Sequence, residues 1–329
     1  MRSLKRSVMC SLVIALWSAN VYGQSHVERN VVYGMYSGLA LLMDVHRSER
    51  PNGYGIVCIA GSGWNAPLGQ DAPPLKEGAI IGDWAKALGA AGYTVFAVNH
   101  RATSRFQYPA AVEDVQRAVR FVRLNAGRFG IDPNRIGAMG GSSGGHLAAM
   151  VGVLEGAGDP DDPDPVNRVS SKVQSVAALY GAFDLKRIRT IPGGRAVSLF
   201  LGVRPLVDTS TPTPVEYRLY SSASPITYVT GDDPPFLMFH GDADETVPFE
   251  QSQLMEAALR KAAIPVKLVP VPGGRHGRNF QFQPGDTRLP DYIGESVKWF
   301  DLHLRKSVIV MLSLAVRSLP PESTSPCKG

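Results

Sequence analysis

Residues 140–145 read Gly-Gly-Ser-Ser-Gly-Gly and join a strand-like apolar run to a helix-like one. A sharp strand-to-helix turn forces an unfavourable backbone conformation on its central residue, and neighbours without side chains let the turn close. A serine at that centre projects its Oγ above the end of the strand, where a substrate can reach it. This is the G-x-S-x-G elbow of a nucleophilic serine. Two frames fit, 140–144 and 141–145, so spacing alone leaves Ser142 and Ser143 both open. A phosphate-cradling loop is the competing use of so many glycines, but neither G-x-x-x-x-G-K-[ST] nor G-x-G-x-x-G fits this stretch.

Serine at neutral pH is a weak nucleophile. It needs a base, and the base needs a carboxylate to orient it. In hydrolases built on an elbow of this kind the chain order is Ser, then Asp or Glu, then His. Downstream, "PFLMFHGDADETVP" closes a strand-like run and offers Asp242, Asp244 and Glu245. Further on, "VPGGRHGRNF" places His276 in a glycine-rich loop after the next such run. The oxyanion that forms during acyl transfer also needs backbone N–H groups aimed at it. "CIAGSGW" at 58–64 supplies a glycine-rich turn, and its Ser62 and Gly63 amides, with the amide after the nucleophile, suit that task.

These side chains need a scaffold that brings strand ends together. Strand-like runs recur at 39–45, 55–60, 93–98, 135–140, 175–180, 235–240 and 266–271, several of them apolar throughout. An unbroken apolar run marks a strand covered on both faces. Helix-like stretches at 81–92, 109–127, 247–263 and 291–306 lie between or after them. Alternation of this kind predicts an α/β fold with a mostly parallel sheet and helices on both faces. Residues 30–60 read as strands without a long helix, which predicts an antiparallel lead-in. Residues 185–224 break the rhythm with Pro and Gly clusters and read as a short insertion above the sheet.

The 329 residues carry 44% hydrophobic and 19% charged side chains, an ordinary globular composition with ample length for a core. The net charge of +5 is mild and its basic residues are scattered, which argues against nucleic acid as a partner. Arg2, Lys5 and Arg6 followed by the apolar Val8–Trp17 read as an export signal ending at Gly23, so the mature chain is expected outside the cytoplasm without a membrane span. The domain then covers 24–306, and the segment 307–329 is a tail with no assigned role. Three cysteines give no disulfide framework, and Cys58 reads as a small buried apolar residue.

Taken together, "LMDVHR", "AGSGW", "YPAAVEDVQRAVRFVRLNA", "FGIDPNRIGAMGGSSGGHLA", "SPITYVTGDDPPFLMFHGDADETVPFEQS" and the His276-Gly277 pair resemble the α/β-hydrolase superfamily, over about residues 30–305. Within it the likeness is to the esterase/lipase group with BD-FAE-like, acetyl- and feruloyl-esterase-like domains. The family elbow G-G-S-A-G-G-H-L-A implies Ser142 as nucleophile, with Ser143 in place of alanine. The pattern H-G-x-x-D-x-x-V-P implies Asp244 as the acid, and His276 matches the base. The family turn H-G-G-G-W is here Ala60-Gly61-Ser62-Gly63-Trp64, and "YGAFDL" replaces the more usual "GPTDL" beside the acyl site.

The resemblance implies a serine hydrolase of carboxylic esters, small or polysaccharide-linked, that works through an acyl-enzyme and requires no cofactor or metal, and the export signal adds that it is secreted. A prolyl-oligopeptidase-like peptidase and a non-catalytic hydrolase-fold binding protein are the alternatives. A missing or short lid at 185–224 would favour small esters over long-chain lipids. Trp64 is expected at the wall of the substrate pocket or as a packing anchor. His46, His100, His146 and His240 lack metal-ligand spacing and are expected to be structural, and Glu113 with Asp114 to cap a helix.

Overall fold

The computed structural model describes residues 27–188, 193–205 and 211–305. The expected export signal at 1–23 and the tail at 307–329 lie outside the described residues. Strand β1 (Val27–Tyr36) turns into β2 (Leu39–His46), then β3 (Gly55–Ile59), helix α1 (Ala79–Ala90), β4 (Thr94–Val98), α2 (Ala110–Leu124), the single turn α3 (Ala126–Phe129) and β5 (Ile136–Gly141). The second half runs α4 (Ser143–Val153), β6 (Ser175–Leu179), α5 (Leu185–Ile188), α6 (Gly194–Leu201), α7 (Pro214–Ser222), β7 (Phe236–Gly241), α8 (Glu250–Lys261), β8 (Val266–Val271) and α9 (Tyr292–Leu304).

The strands form one eight-stranded sheet in the order β1-β2-β4-β3-β5-β6-β7-β8. The β1–β2 and β2–β4 pairs are antiparallel and the others parallel, so the antiparallel lead-in and the parallel body both follow the sequence pattern. Strands β3 to β7 are buried at every residue, as unbroken apolar runs require. One face packs on α2, α4 and α8 through Val115, Val119, Leu147, Met150, Met255 and Leu259. The other packs on α1 and α9 through Trp84, Leu88 and Phe300.

Because β5, β6, β7 and β8 are neighbours and parallel, their C-terminal ends line up along one edge. That edge is where side chains from distant parts of the chain can converge. Described parts of the expected insertion form α5, α6 and α7, and α6 is tied to the loop before α2 by the Tyr108 amide donating to Phe200 O at 2.7 Å.

One local expectation is corrected. Asp114 does not cap α2, whose N-cap is Pro109 without a side-chain bond. Its carboxylate is buried and accepts from the Arg101 backbone N–H at 2.7 Å and from Arg101 Nε at 2.9 Å, and Glu113 takes another guanidinium N–H at 3.0 Å. An acid beyond the first turn has no free helix N–H to cap, so it pairs with the arginine of the β4 exit loop instead.

Candidate active site

The elbow lies between β5 and α4, and Ser142 is its apex with φ 53° and ψ −123°. A non-glycine residue at positive φ is strained and is held there by its surroundings. The surroundings admit nothing larger than glycine at two points. A Cβ on Gly144 would sit 2.2 Å from Ile59 O, and one on Gly140 would sit 2.1 Å from Gly144 O. The glycines at 140 and 144 therefore let the turn close against β3, with Ser142 between them, while Ser143 opens the helix and is 98% buried by its 2% exposure.

Ser142 Oγ lies 2.8 Å from His276 Nε2, and His276 Nδ1 lies 2.6 Å from Asp244 Oδ2. The three residues come from the ends of β5, β7 and β8. Asp244 is fixed from its other side as well: Oδ1 accepts the amides of Thr246 at 2.9 Å and Val247 at 2.8 Å. Burial pushes its carboxyl pKa up, but hydrogen bonds from His240 and His276, the His276 charge and the Val247 amide outweigh burial and hold it well below the usual carboxylate range. An ionised Asp244 accepts the Nδ1–H of His276, which leaves Nε2 with a lone pair facing the Ser142 hydroxyl. Asp242, the other aspartate in the motif, points elsewhere and accepts the Gly273 amide at 2.7 Å.

His240 is the residue whose place here the sequence did not reveal. Its Nε2–H is shared between Val247 O at 2.8 Å and Asp244 Oδ2 at 3.3 Å, and its Nδ1 lies 2.7 Å from Ser252 Oγ. The ring is completely buried and braces the Asp244 turn from beneath. A signal existed in the four-residue spacing from His240 to Asp244. His276 is flanked by Tyr180, whose ring meets it edge-on at 5.0 Å between centroids.

The turn after β3 sits beside this chain of bonds. Gly63 and Trp64 are both left-handed, with φ 64° and 56°. Among the described residues, no acceptor is bonded to the Gly63 or Ser143 amides. The Ser62 amide, expected to face an oxyanion, is engaged differently: it donates to Ser143 Oγ at 2.9 Å. Trp64 is buried. It stacks on Phe200 of α6 with ring centroids 4.5 Å apart, and it borders a small apolar cavity of about 50 Å³ that opens beside Ser142. Ala182, Ile188, Val197 and Val247 close that cavity, and Ala182 belongs to the divergent "YGAFDL" stretch. Two larger grooves, about 480 and 420 Å³, lie along β1 to α2 and beside α1, away from Ser142.

Residues 43–259 match BD-FAE. The chain belongs to the BD-FAE family. Esterase LipQ of Mycobacterium tuberculosis is 34% identical over 186 residues, 56% of this chain and 42% of LipQ. Esterase LipC of the same organism is 32% identical over 257 residues, 76% of this chain and 59% of LipC. The chain thus spans between about two fifths and three fifths of these relatives. Among solved structures, the acetyl ester-xyloside bifunctional hydrolase from Caldicellulosiruptor lactoaceticus superposes with a TM-score of 0.68 at 26% identity, covering 86% of this chain and 98% of that one. The BD-FAE chain has the α/β-hydrolase fold.

His146, in the first turn of α4 of this BD-FAE domain, is structural but not inert. Its Nδ1 accepts the Trp64 indole N–H at 3.1 Å and its Nε2–H donates to Ala223 O at 2.7 Å, which fixes the neutral tautomer. Burial pushes the imidazole pKa down to about 4, against the opposing pull of the Ala223 carbonyl. The unfolded ring, with an ordinary pKa near 6.5, takes a proton that the folded ring refuses. Stability is therefore full above about pH 6.5 and is lost as pH falls toward about 4, by about 3 kcal/mol from this group. Thermal unfolding between pH 7.5 and 4.5 tests this against His146→Gln. The wild-type curve should fall more steeply with acid, and parallel curves would remove His146 as the cause.

Proposed function

We propose that this BD-FAE protein hydrolyses carboxylic esters with a short acyl group, acetyl above all, through Ser142, His276 and Asp244. The hydrogen-bonded line from Ser142 Oγ through His276 to Asp244 carries the reading, because it is the arrangement that makes a serine nucleophilic. Ser142 Oγ attacks the carbonyl carbon while its proton passes to His276 Nε2. The negative oxygen that forms lies toward the Gly63 and Ser143 amides. His276 returns the proton to the departing alcohol, which leaves the acyl group on Ser142. A water then gives its proton to Nε2 and attacks the acyl carbon, and collapse releases the acid and restores the hydroxyl. Asp244 stays ionised throughout and stabilises the charged imidazole.

The cavity beside Ser142 favours the short acyl reading. At about 50 Å³ it holds a methyl or ethyl group, whereas even a benzene ring calls for a cavity of about 150 Å³. A feruloyl ring is therefore disfavoured. The likeness to an acetyl ester-xyloside hydrolase and to named esterases supports acetyl esters, including those on saccharides, as substrates. The basic and apolar start of the sequence supports export to where such esters occur.

The test is the initial rate on p-nitrophenyl acetate, butyrate and octanoate and on methyl ferulate. Crowding in so small an apolar cavity predicts kcat/KM falling by about 100-fold from acetate to octanoate. A flat or rising profile, or ferulate as the best substrate, would remove the short-acyl reading, and inertness to all four would remove the ester reading.

A further inference from the structure

Ser143 carries a hydroxyl whose hydrogen bonding is half complete. It is buried at 2% exposure, and its Oγ accepts the Ser62 amide at 2.9 Å. Among the described residues nothing accepts the proton of that hydroxyl. A buried donor without an acceptor is costly and rare in a folded protein. Ser143 borders the cavity together with Ser142 and Gly63, so a group that enters beside Ser142 is within the reach of residue 143 and offers the acceptor that is missing. For an ester that group is the carbonyl oxygen.

The turn cannot slide away to free the Ser62 amide. Gly61 is pressed on the elbow so closely that a Cβ there would sit 2.5 Å from Gly141 O and 3.0 Å from Ser142 Cβ. The Ser143 side chain thus holds the Ser62 N–H, and the same residue also lines the cavity. A hydroxyl that accepts one hydrogen bond donates its own more strongly, because each bond polarises the next.

We propose that the Ser143 hydroxyl is a third oxyanion donor, relaying the Ser62 N–H to the carbonyl oxygen beside the amides of Gly63 and Ser143. The assignment rests on the ester-hydrolase reading above. No proton is transferred: the O–H bond shortens its contact with the oxygen as negative charge builds, and lengthens it when the carbonyl reforms. Ser143 thus touches the reacting atoms and is a catalytic residue distinct from the nucleophile.

The experiment compares wild type, Ser143→Ala, Ser143→Thr and Ser142→Ala on p-nitrophenyl acetate. Active sites of the three proteins that keep Ser142 are counted with diethyl p-nitrophenyl phosphate, and Ser142→Ala serves as the unlabelled background. Loss of one oxyanion donor typically costs 100- to 1,000-fold. Here the freed Ser62 amide takes up part of the load, so Ser143→Ala should lower kcat by about 10- to 100-fold with KM within about twofold. Inhibition by methylboronic acid, which forms a tetrahedral adduct on the nucleophile, should weaken by a similar factor. Ser143→Thr keeps the hydroxyl and should stay within about threefold of wild type.

An active wild type whose Ser143→Ala variant is equally fast overturns the proposal and leaves the ester reading standing. A faster Ser143→Ala also overturns it, and means that the hydroxyl blocks the Ser62 amide. Should Ser143→Ala yield no titratable sites, Ser143→Thr decides, and a loss above about tenfold counts against the relay. A wild type inert to the ester removes the ester reading, and the relay with it.

Discussion

Ser142→Ala is expected to lower kcat/KM on p-nitrophenyl acetate by about 10⁴- to 10⁶-fold while the protein remains folded. Among the described residues the Ser142 side chain bonds to His276 alone, and it stands at the elbow apex with φ 53°, so alanine keeps the Cβ and removes only the proposed nucleophilic atom. The residual rate measures what the oxyanion donors do to the ester without a nucleophile. Labelling by diethyl p-nitrophenyl phosphate should vanish in the same variant. Retained labelling or a drop of less than about 100-fold would place the nucleophile elsewhere, with Ser143 the first to test.

Asp244→Asn is expected to cost about 10⁴-fold in kcat, although it changes a single atom. The reason lies in how the carboxylate is held. Oδ1 accepts two backbone amides, from Thr246 and Val247, so the asparagine oxygen must occupy that position. Its NH₂ group is then forced to the Oδ2 position, facing His276 Nδ1. Two donors cannot face each other, so the ring moves its proton to Nε2. Nε2 then presents an N–H to Ser142 and can no longer take the serine proton. Rising pH cannot restore that variant, because the neutral ring is the wrong tautomer. A rate that recovers above about pH 8 would show that Asp244 acts through its charge alone.

The fold was legible because burial writes itself into composition. The all-apolar runs 55–60, 93–98 and 175–180 became fully buried parallel strands, and each helix-like stretch between them became a helix within a few residues. The elbow was legible because only glycine can stand at 140 and 144, where a Cβ would strike backbone oxygen. What stayed hidden depends on distance across the fold. Chain order could not tell that Ser143 Oγ meets the Ser62 amide 81 residues away, or that His146 bridges Trp64 to Ala223. His240 looked like a strand-end residue because its partners, Val247, Ser252 and Asp244, gather only when the turn closes around it. The choice between Ser142 and Ser143 needed either a family pattern or the backbone angle of 53°.

Trp64 stacks on Phe200, and His146 ties that pair to the end of α7. The ring that walls the cavity beside Ser142 is thus next in sequence to Gly63, whose amide the proposed mechanism aims at the reacting oxygen. In that mechanism, selectivity and rate are coupled through one turn. On that reading, trimming Val197 at the cavity wall, or Phe200 behind Trp64, is expected to loosen the Gly63 donor as well. Drift toward larger acyl groups should proceed by paired changes, one on α6 and one near Trp64, and a library that varies α6 alone should return broad, slow enzymes.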